Sequence, residues 1–187
     1  MAKGTRYVSG LLFMCAVGCA GDKQPAETAA DKPPLAPPPV PVGGASVPIE
    51  ARSESKLSGT ARFEPTDDGL RVVVTLVDAP PGEHGVHIHE VGDCSAADAS
   101  SAGDHYNPEG HAHGRPPDQR HIGDFGNMIV TEDGNGSLEI VVPGASLEPE
   151  APMSFLGRSI VVHAKADDGS QPSGNSGARI GCGVIET

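Results

Sequence analysis

The sequence predicts an all-β domain, an antiparallel sandwich or barrel, and three observations carry that prediction. Short runs rich in β-branched residues recur along residues 46–187. Gly- and Pro-rich turn signals separate them, and no stretch shows a convincing amphipathic-helix period. Elements of this kind bury their apolar faces as sheet on sheet or as a sheet closed on itself. The chain has 187 residues, no Trp and only 3% aromatic residues, so Val, Ile and Leu must fill the core.

Residues 1–18 read as an export signal. Lys3 and Arg6 form a basic start, and the mostly apolar residues 7–17 are too few to span a bilayer. The sequence Ala16-Val17-Gly18-Cys19 resembles a bacterial lipobox, in which Cys19 becomes the lipid-modified first residue. The other reading is an ordinary cleaved signal with incidental cysteines; Cys15 is a poorer lipid site because Met14 precedes it. Residues 19–45 then form a tether. Eight of the eighteen prolines lie between Pro25 and Pro48, among residues too polar and small to bury a core. At about 3.1 Å per residue, a polyproline-like tether holds the domain up to roughly 70–80 Å from its anchor.

The domain begins at about Ser46. Residues 57–63 alternate weakly, and Asp67-Asp68-Gly69 marks a turn. Residues 70–77 form a β-branched strand that Pro80-Pro81-Gly82 ends, and residues 85–91 form the next. Residues 92–124 have no periodicity, and a loop of that length inside a domain is expected to be functional or stapled. Residues 125–131 and 137–142 form a hairpin across Asp133-Gly134-Asn135-Gly136, and residues 158–164 and 178–185 supply the last strands.

The net charge is −12, and removing residues 1–18 takes away Lys3, Arg6 and no acid, leaving −14. Nucleic acid is a poor partner for such a chain, because phosphate neutralisation carries that affinity. Anionic lipid repels it too, so the predicted membrane contact is the N-terminal lipid alone. Apart from the lipid-bearing Cys19, Cys94 and Cys182 remain after processing, and an even count of unmodified thiols in an exported protein argues for a disulfide over free thiols or metal thiolates. Closing a loop of that length stabilises by roughly 4–5 kcal/mol in the chain-entropy model.

Six of the eight histidines suit metal chemistry. A strand has a side-chain period of two, so His87 and His89 share a face and make half of a nitrogen site suited to Cu(II). His105, His113, His121 and Asp124 follow at loop spacings that fit zinc, and His163 lies in a late apolar run. A lone histidine is usually a hydrogen-bonded core or surface residue, but this cluster is too ordered for that account.

Several ordered motifs together resemble copper/zinc superoxide dismutases of the exported bacterial kind, from about Ser46 to Thr187. They are Gly85-Val-His-Ile-His-Glu90, Gly92-Asp-Cys94, Ser101-Ala-Gly-Asp-His-Tyr-Asn-Pro108, His121-Ile-Gly-Asp-Phe-Gly-Asn127, Val161-Val-His-Ala-Lys-Ala-Asp-Asp168 and Ser176-Gly-Ala-Arg-Ile-Gly-Cys-Gly-Val-Ile185. The resemblance implies an eight-stranded antiparallel Greek-key barrel or sandwich with a long metal-binding loop; the family is itself a standard example of Ig-like sandwich architecture. It assigns copper to His87, His89, His105 and His163, and zinc to His105, His113, His121 and Asp124, with His105 bridging. It makes Asp167 the link between His87 and His113, places His84 behind the copper strand, and pairs Cys94 with Cys182. The family's spacing from the residue matching His105 implies His113 rather than His111 as the zinc ligand.

The implied activity is dismutation of superoxide by a redox-cycling copper beside a structural zinc. Arg179 receives the anion and His105 handles a proton. The implied location is the periplasm or cell envelope, with protection of the envelope as the role. Residues 168–178 are much shorter than the loop whose charges guide superoxide in eukaryotic relatives, and Lys165 and Arg115 are the candidates to compensate. Two other function classes remain beside this one, a copper-delivery module on the same fold and a plain anchored β-sandwich. A homodimer is left open.

Overall fold

The computed structural model describes residues 1–4 and 39–187; the signal segment beyond residue 4, Cys19 and most of the tether lie outside the described residues. The unit Pro38–Thr187 contains eight strands: β1 (Ala45–Ala51), β2 (Ser58–Thr66), β3 (Gly69–Val77), β4 (Gly82–His89), β5 (Asp124–Val130), β6 (Gly136–Pro143), β7 (Ser159–His163) and β8 (Arg179–Val184). They close into a barrel in the order β1-β2-β3-β6-β5-β4-β7-β8, with every neighbouring pair antiparallel. The return of β6 to pair with β3 is the Greek-key crossing.

Strand alternation sorts the side chains into two environments. Val47, Ile49, Phe63, Val72, Val74, Val86, Ile88, Ile160 and Val162 fill the barrel interior with Phe155, which meets Phe63 edge-on at 6.4 Å between centroids. The opposite face of β4, β7 and β8 carries His87, His89, Val161, His163 and Cys182, all buried even though they point out of the barrel. Covering that outer face is the work of the loops. Residues 90–123 contain no regular element except a 3-10 turn at Ser100–Ala102. Ala99 and Ala102 from this segment pack with Val161 and the Cys94–Cys182 disulfide into a second, smaller core outside the barrel.

One strand is absent from the sequence-based reading. Residues 45–51 include Pro48 and continue the composition of the tether, yet Ala45, Val47 and Ile49 alternate inward as β1. Pro48 is tolerated because β8 pairs with β1 only at Glu50 and Ala51, so no ladder donor is missed there.

Candidate metal centre

Two interruptions of strand register aim the site. On β5, Asn127 opposes Gly85 and Asp124 opposes His87, so β5 carries one extra residue between them. Gly126, at φ +83°, is in the left-handed region that such a bulge needs, and the bulge turns Asp124 to the same side as His87 while Phe125 stays in the core. On β8, Gly181 opposes Val162 and Arg179 opposes His163, which leaves Ile180 as the extra residue. Ile180 packs inward, and Arg179 emerges beside the histidines.

The structure brings the predicted residues into two buried clusters that share His105. His87, His89, His105 and His163 offer four nitrogens, and His105, His113, His121 and Asp124 offer three nitrogens and a carboxylate oxygen, with the donor atoms of each cluster within 4.8 Å of one another. The His105 ring centroid is 4.1 Å from that of His87 and 5.3 Å from that of His113.

Hydrogen bonds to the far side of each ring fix which nitrogen faces the cluster. His89 Nδ1 donates to the Gly103 carbonyl at 2.9 Å and His163 Nδ1 to the Gly177 carbonyl at 3.3 Å. In a neutral imidazole the Nε2 atoms are then unprotonated, and these two lone-pair nitrogens lie 3.4 Å apart. His87 Nε2 donates to Asp167 Oδ2 and His113 Nε2 to Asp167 Oδ1, both at 3.0 Å. That leaves His87 Nδ1 and His113 Nδ1 as acceptor atoms, and both are buried without a hydrogen-bond partner, as is His121 Nδ1.

His113 Nδ1 lies 2.8 Å and His121 Nδ1 3.1 Å from Asp124 Oδ2, but neither contact has hydrogen-bond geometry. Lone pairs turned toward one another and toward a carboxylate repel unless a cation sits among them, so the donor set fits metal binding. Imidazole suits copper and zinc alike, and one carboxylate adds a hard oxygen to the second cluster.

The electrostatics favour the metal-binding protonation states. Burial pushes His87 down to about 4, His163 to about 3 and His89 to about 2, so all three are neutral at physiological pH. Asp167 and Asp124 are held below the usual carboxylate range. Burial opposes this at both, and hydrogen bonds prevail: from His87 and His113 at Asp167, and from His105 at 2.9 Å at Asp124.

Arg179 is pinned by two carbonyls, donating to Ala99 O at 2.8 Å and Gly103 O at 2.7 Å. It lines an open cavity of about 370 Å³ with His89, His105, His121 and His163. Among the described residues, no Lys or other Arg lines this cavity, whereas Asp104 does. Arg115 donates instead to the Asp167 carbonyl at 3.2 Å, and Lys165 is exposed with its stem against Gly177. His84 lies outside both clusters, with Nδ1 2.8 Å from the His163 carbonyl and Nε2 2.7 Å from the Pro80 carbonyl. His111 is outside them too, its Nδ1 3.2 Å from the Arg120 carbonyl.

Sequence reasoning missed three contributors. Asn127 pairs through both amide atoms with the Asp167 backbone, at 2.7 and 3.0 Å, and Gln171 does the same with His113, at 3.1 and 2.8 Å. Asp104, part of a quoted motif but given no role, lines the cavity. No local pattern marks an amide whose partner lies 40 or 58 residues away, which is the separation here.

Comparison with known proteins agrees with this geometry. The sequence profile of the family described as copper/zinc superoxide dismutase (SODC) matches residues 57–185. The chain is 37% identical over 147 residues to the extracellular superoxide dismutase [Cu-Zn] of Onchocerca volvulus, covering 72% of each chain. Among solved structures, it resembles a SOD-like protein from Bacillus subtilis with a TM-score of 0.67 and 34% identity, covering 75% of this chain and 97% of that one. It also resembles the clock protein EA4, with a TM-score of 0.68 and 37% identity over 77% of this chain and 94% of that one. Motifs, barrel and paired clusters thus converge with the profile and the relative, and the chain belongs to the copper/zinc superoxide dismutase family, as an oxidoreductase whose cofactors are copper and zinc.

Proposed function

We propose that His87, His89, His105 and His163 hold the copper, that His105, His113, His121 and Asp124 hold the zinc, and that His105 is shared as a bridging imidazolate. The observation that carries this assignment is the convergence of ring nitrogens and one carboxylate in two buried clusters with one common member, among them the unpartnered Nδ1 atoms of His87, His113 and His121. When bound, copper supplies the one-electron couple between Cu(II) and Cu(I) that oxidises one superoxide and reduces the next, and zinc supplies fixed positive charge.

The residues of the chain do the rest. Arg179, held rigid by two carbonyls, offers its guanidinium to the anion entering the cavity. His105 Nδ1 and Asp124 lie together, 2.9 Å apart, on the zinc side, which leaves Nε2 for the copper side as the atom that would take up a proton and donate it to the reduced anion; solvent supplies the second proton of hydrogen peroxide. Asp167 ties the two clusters together through His87 and His113, and His84 supports the backbone of His163.

His163→Ala tests the assignment directly. Copper content measured per chain should fall, zinc content should hold, and superoxide dismutation should drop by at least about 100-fold. Full activity in that variant would sink the copper assignment, and a metal-loaded wild type without dismutase activity would favour the copper-delivery reading.

The second part of the reading is cellular. A disulfide suits an exported chain, and residues 1–18 as a signal, Cys19 as a lipid site and residues 19–45 as a tether would place the enzyme in the cell envelope, where superoxide generated outside the cytoplasm is met. Its partners are then superoxide and, through the lipid alone, a membrane. Cys19→Ser should move the protein from the membrane fraction to the soluble fraction; retention at the membrane would refute the anchor.

A further inference from the structure

The loop after Asp167 does more than cover the site. Gln171 reaches across to His113 and satisfies both groups of its backbone, accepting from the N–H at 3.1 Å and donating to the carbonyl at 2.8 Å. The orientation of the amide is unambiguous, because a backbone N–H only donates and a carbonyl only accepts. His113 is therefore gripped at three points from one loop, two on the backbone by Gln171 and one on the ring by Asp167. What is left is Nδ1, buried, unpartnered and 2.8 Å from Asp124.

Gly174 closes this grip. A Cβ there would collide with Asp167 Oδ1 and lie 2.7 Å from His113 Nε2, so the loop backbone rests directly on the Asp167–His113 bond. The residues after Gln171, Pro172 and Ser173, line the cavity that holds Arg179.

We infer that Gln171 is a positioning residue for zinc: by clamping the backbone of His113 from the facing loop, it sets the ring against Asp124 and His121 and ties the rim of the substrate cavity to the proposed zinc site. The shortened loop is thus a zinc clamp in this chain. This rests on the zinc assignment proposed above.

The test is zinc affinity, measured on the copper-loaded protein by competition with a chromophoric chelator, in wild type, Gln171→Met, Gln171→Glu and His113→Ala. Methionine keeps the length of the side chain and removes both hydrogen bonds, while glutamate keeps the acceptor for the N–H and loses the donor. Partners that orient a ligand from behind usually cost about 10–100-fold in metal affinity when removed, so Gln171→Met should bind zinc at least about 10-fold more weakly, with Gln171→Glu in between.

Cobalt(II) placed in the zinc site should show a shifted visible spectrum in Gln171→Met, and copper affinity should stay within about twofold of wild type. Zinc binding by Gln171→Met within about threefold of wild type would overturn the inference. So would an equal loss of copper and zinc together with a matching drop in the melting temperature of the metal-free protein, which would mark a general folding role. If His113→Ala binds zinc as wild type does, the zinc assignment itself has failed; if only His113→Ala loses zinc, the assignment stands and the role of Gln171 does not.

Discussion

Asp104 shows how a single residue sets the character of this active site. It follows Gly103, whose carbonyl holds both Arg179 and His89, and its carboxylate is exposed on the rim of the cavity that Arg179 lines. Burial lowers the pKa of Arg179, and the carboxylates of Asp104 and Asp98 act in the opposite sense, so the cation proposed to receive the anion sits under a negative screen. An incoming superoxide is attracted by one charge and repelled by its neighbour. Asp104→Asn should therefore raise kcat/KM by about two- to fivefold at low ionic strength, with the gain fading as salt screens the rim. An unchanged or lower kcat/KM, measured by pulse radiolysis across a salt series, would contradict this account of the rim.

At the scale of elements, two register breaks and one disulfide convert a plain barrel into a metal site. The bulges at Gly126 and Ile180 turn Asp124 and Arg179 out toward the histidines while their neighbours Phe125 and Ile180 stay in the core. The bond between Cys94 and Cys182 joins the loop carrying Asp104 and His105 to β8 just beyond Arg179. Replacing both cysteines with serine should lower stability by about 2–5 kcal/mol in urea unfolding, at the upper end because the loop is long. A midpoint equal to that of wild type would show that the small core around Val161 holds the loop without it.

These elements also mark what was legible. Period-two alternation is local, so the shared face of His87 and His89 and most strands could be read directly. β1 could not, because Pro48 and the small residues around it continue the tether in composition, and its strand character comes from pairing with β2. The residues that gather in the two clusters were legible through the family motifs. The amide clamps of Asn127 and Gln171 were not, because only the closed fold brings them to Asp167 and His113.

The whole molecule is an acidic chain, of net charge −12, and among the described residues the cavity proposed to receive the anion is lined by one arginine. Arg115 braces the loop over Asp167 and Lys165 lies along Gly177, so neither completes a cationic funnel lining that cavity. The proposed chemistry is then concentrated in the paired clusters, which have His105 in common. Filling the zinc site with cobalt(II) in the copper(II) protein tests that most directly, because an imidazolate shared by two paramagnetic ions couples their spins. The account predicts that the copper(II) electron paramagnetic resonance signal disappears when cobalt enters and returns when zinc replaces it. A copper signal of undiminished intensity with both sites filled would contradict a shared His105.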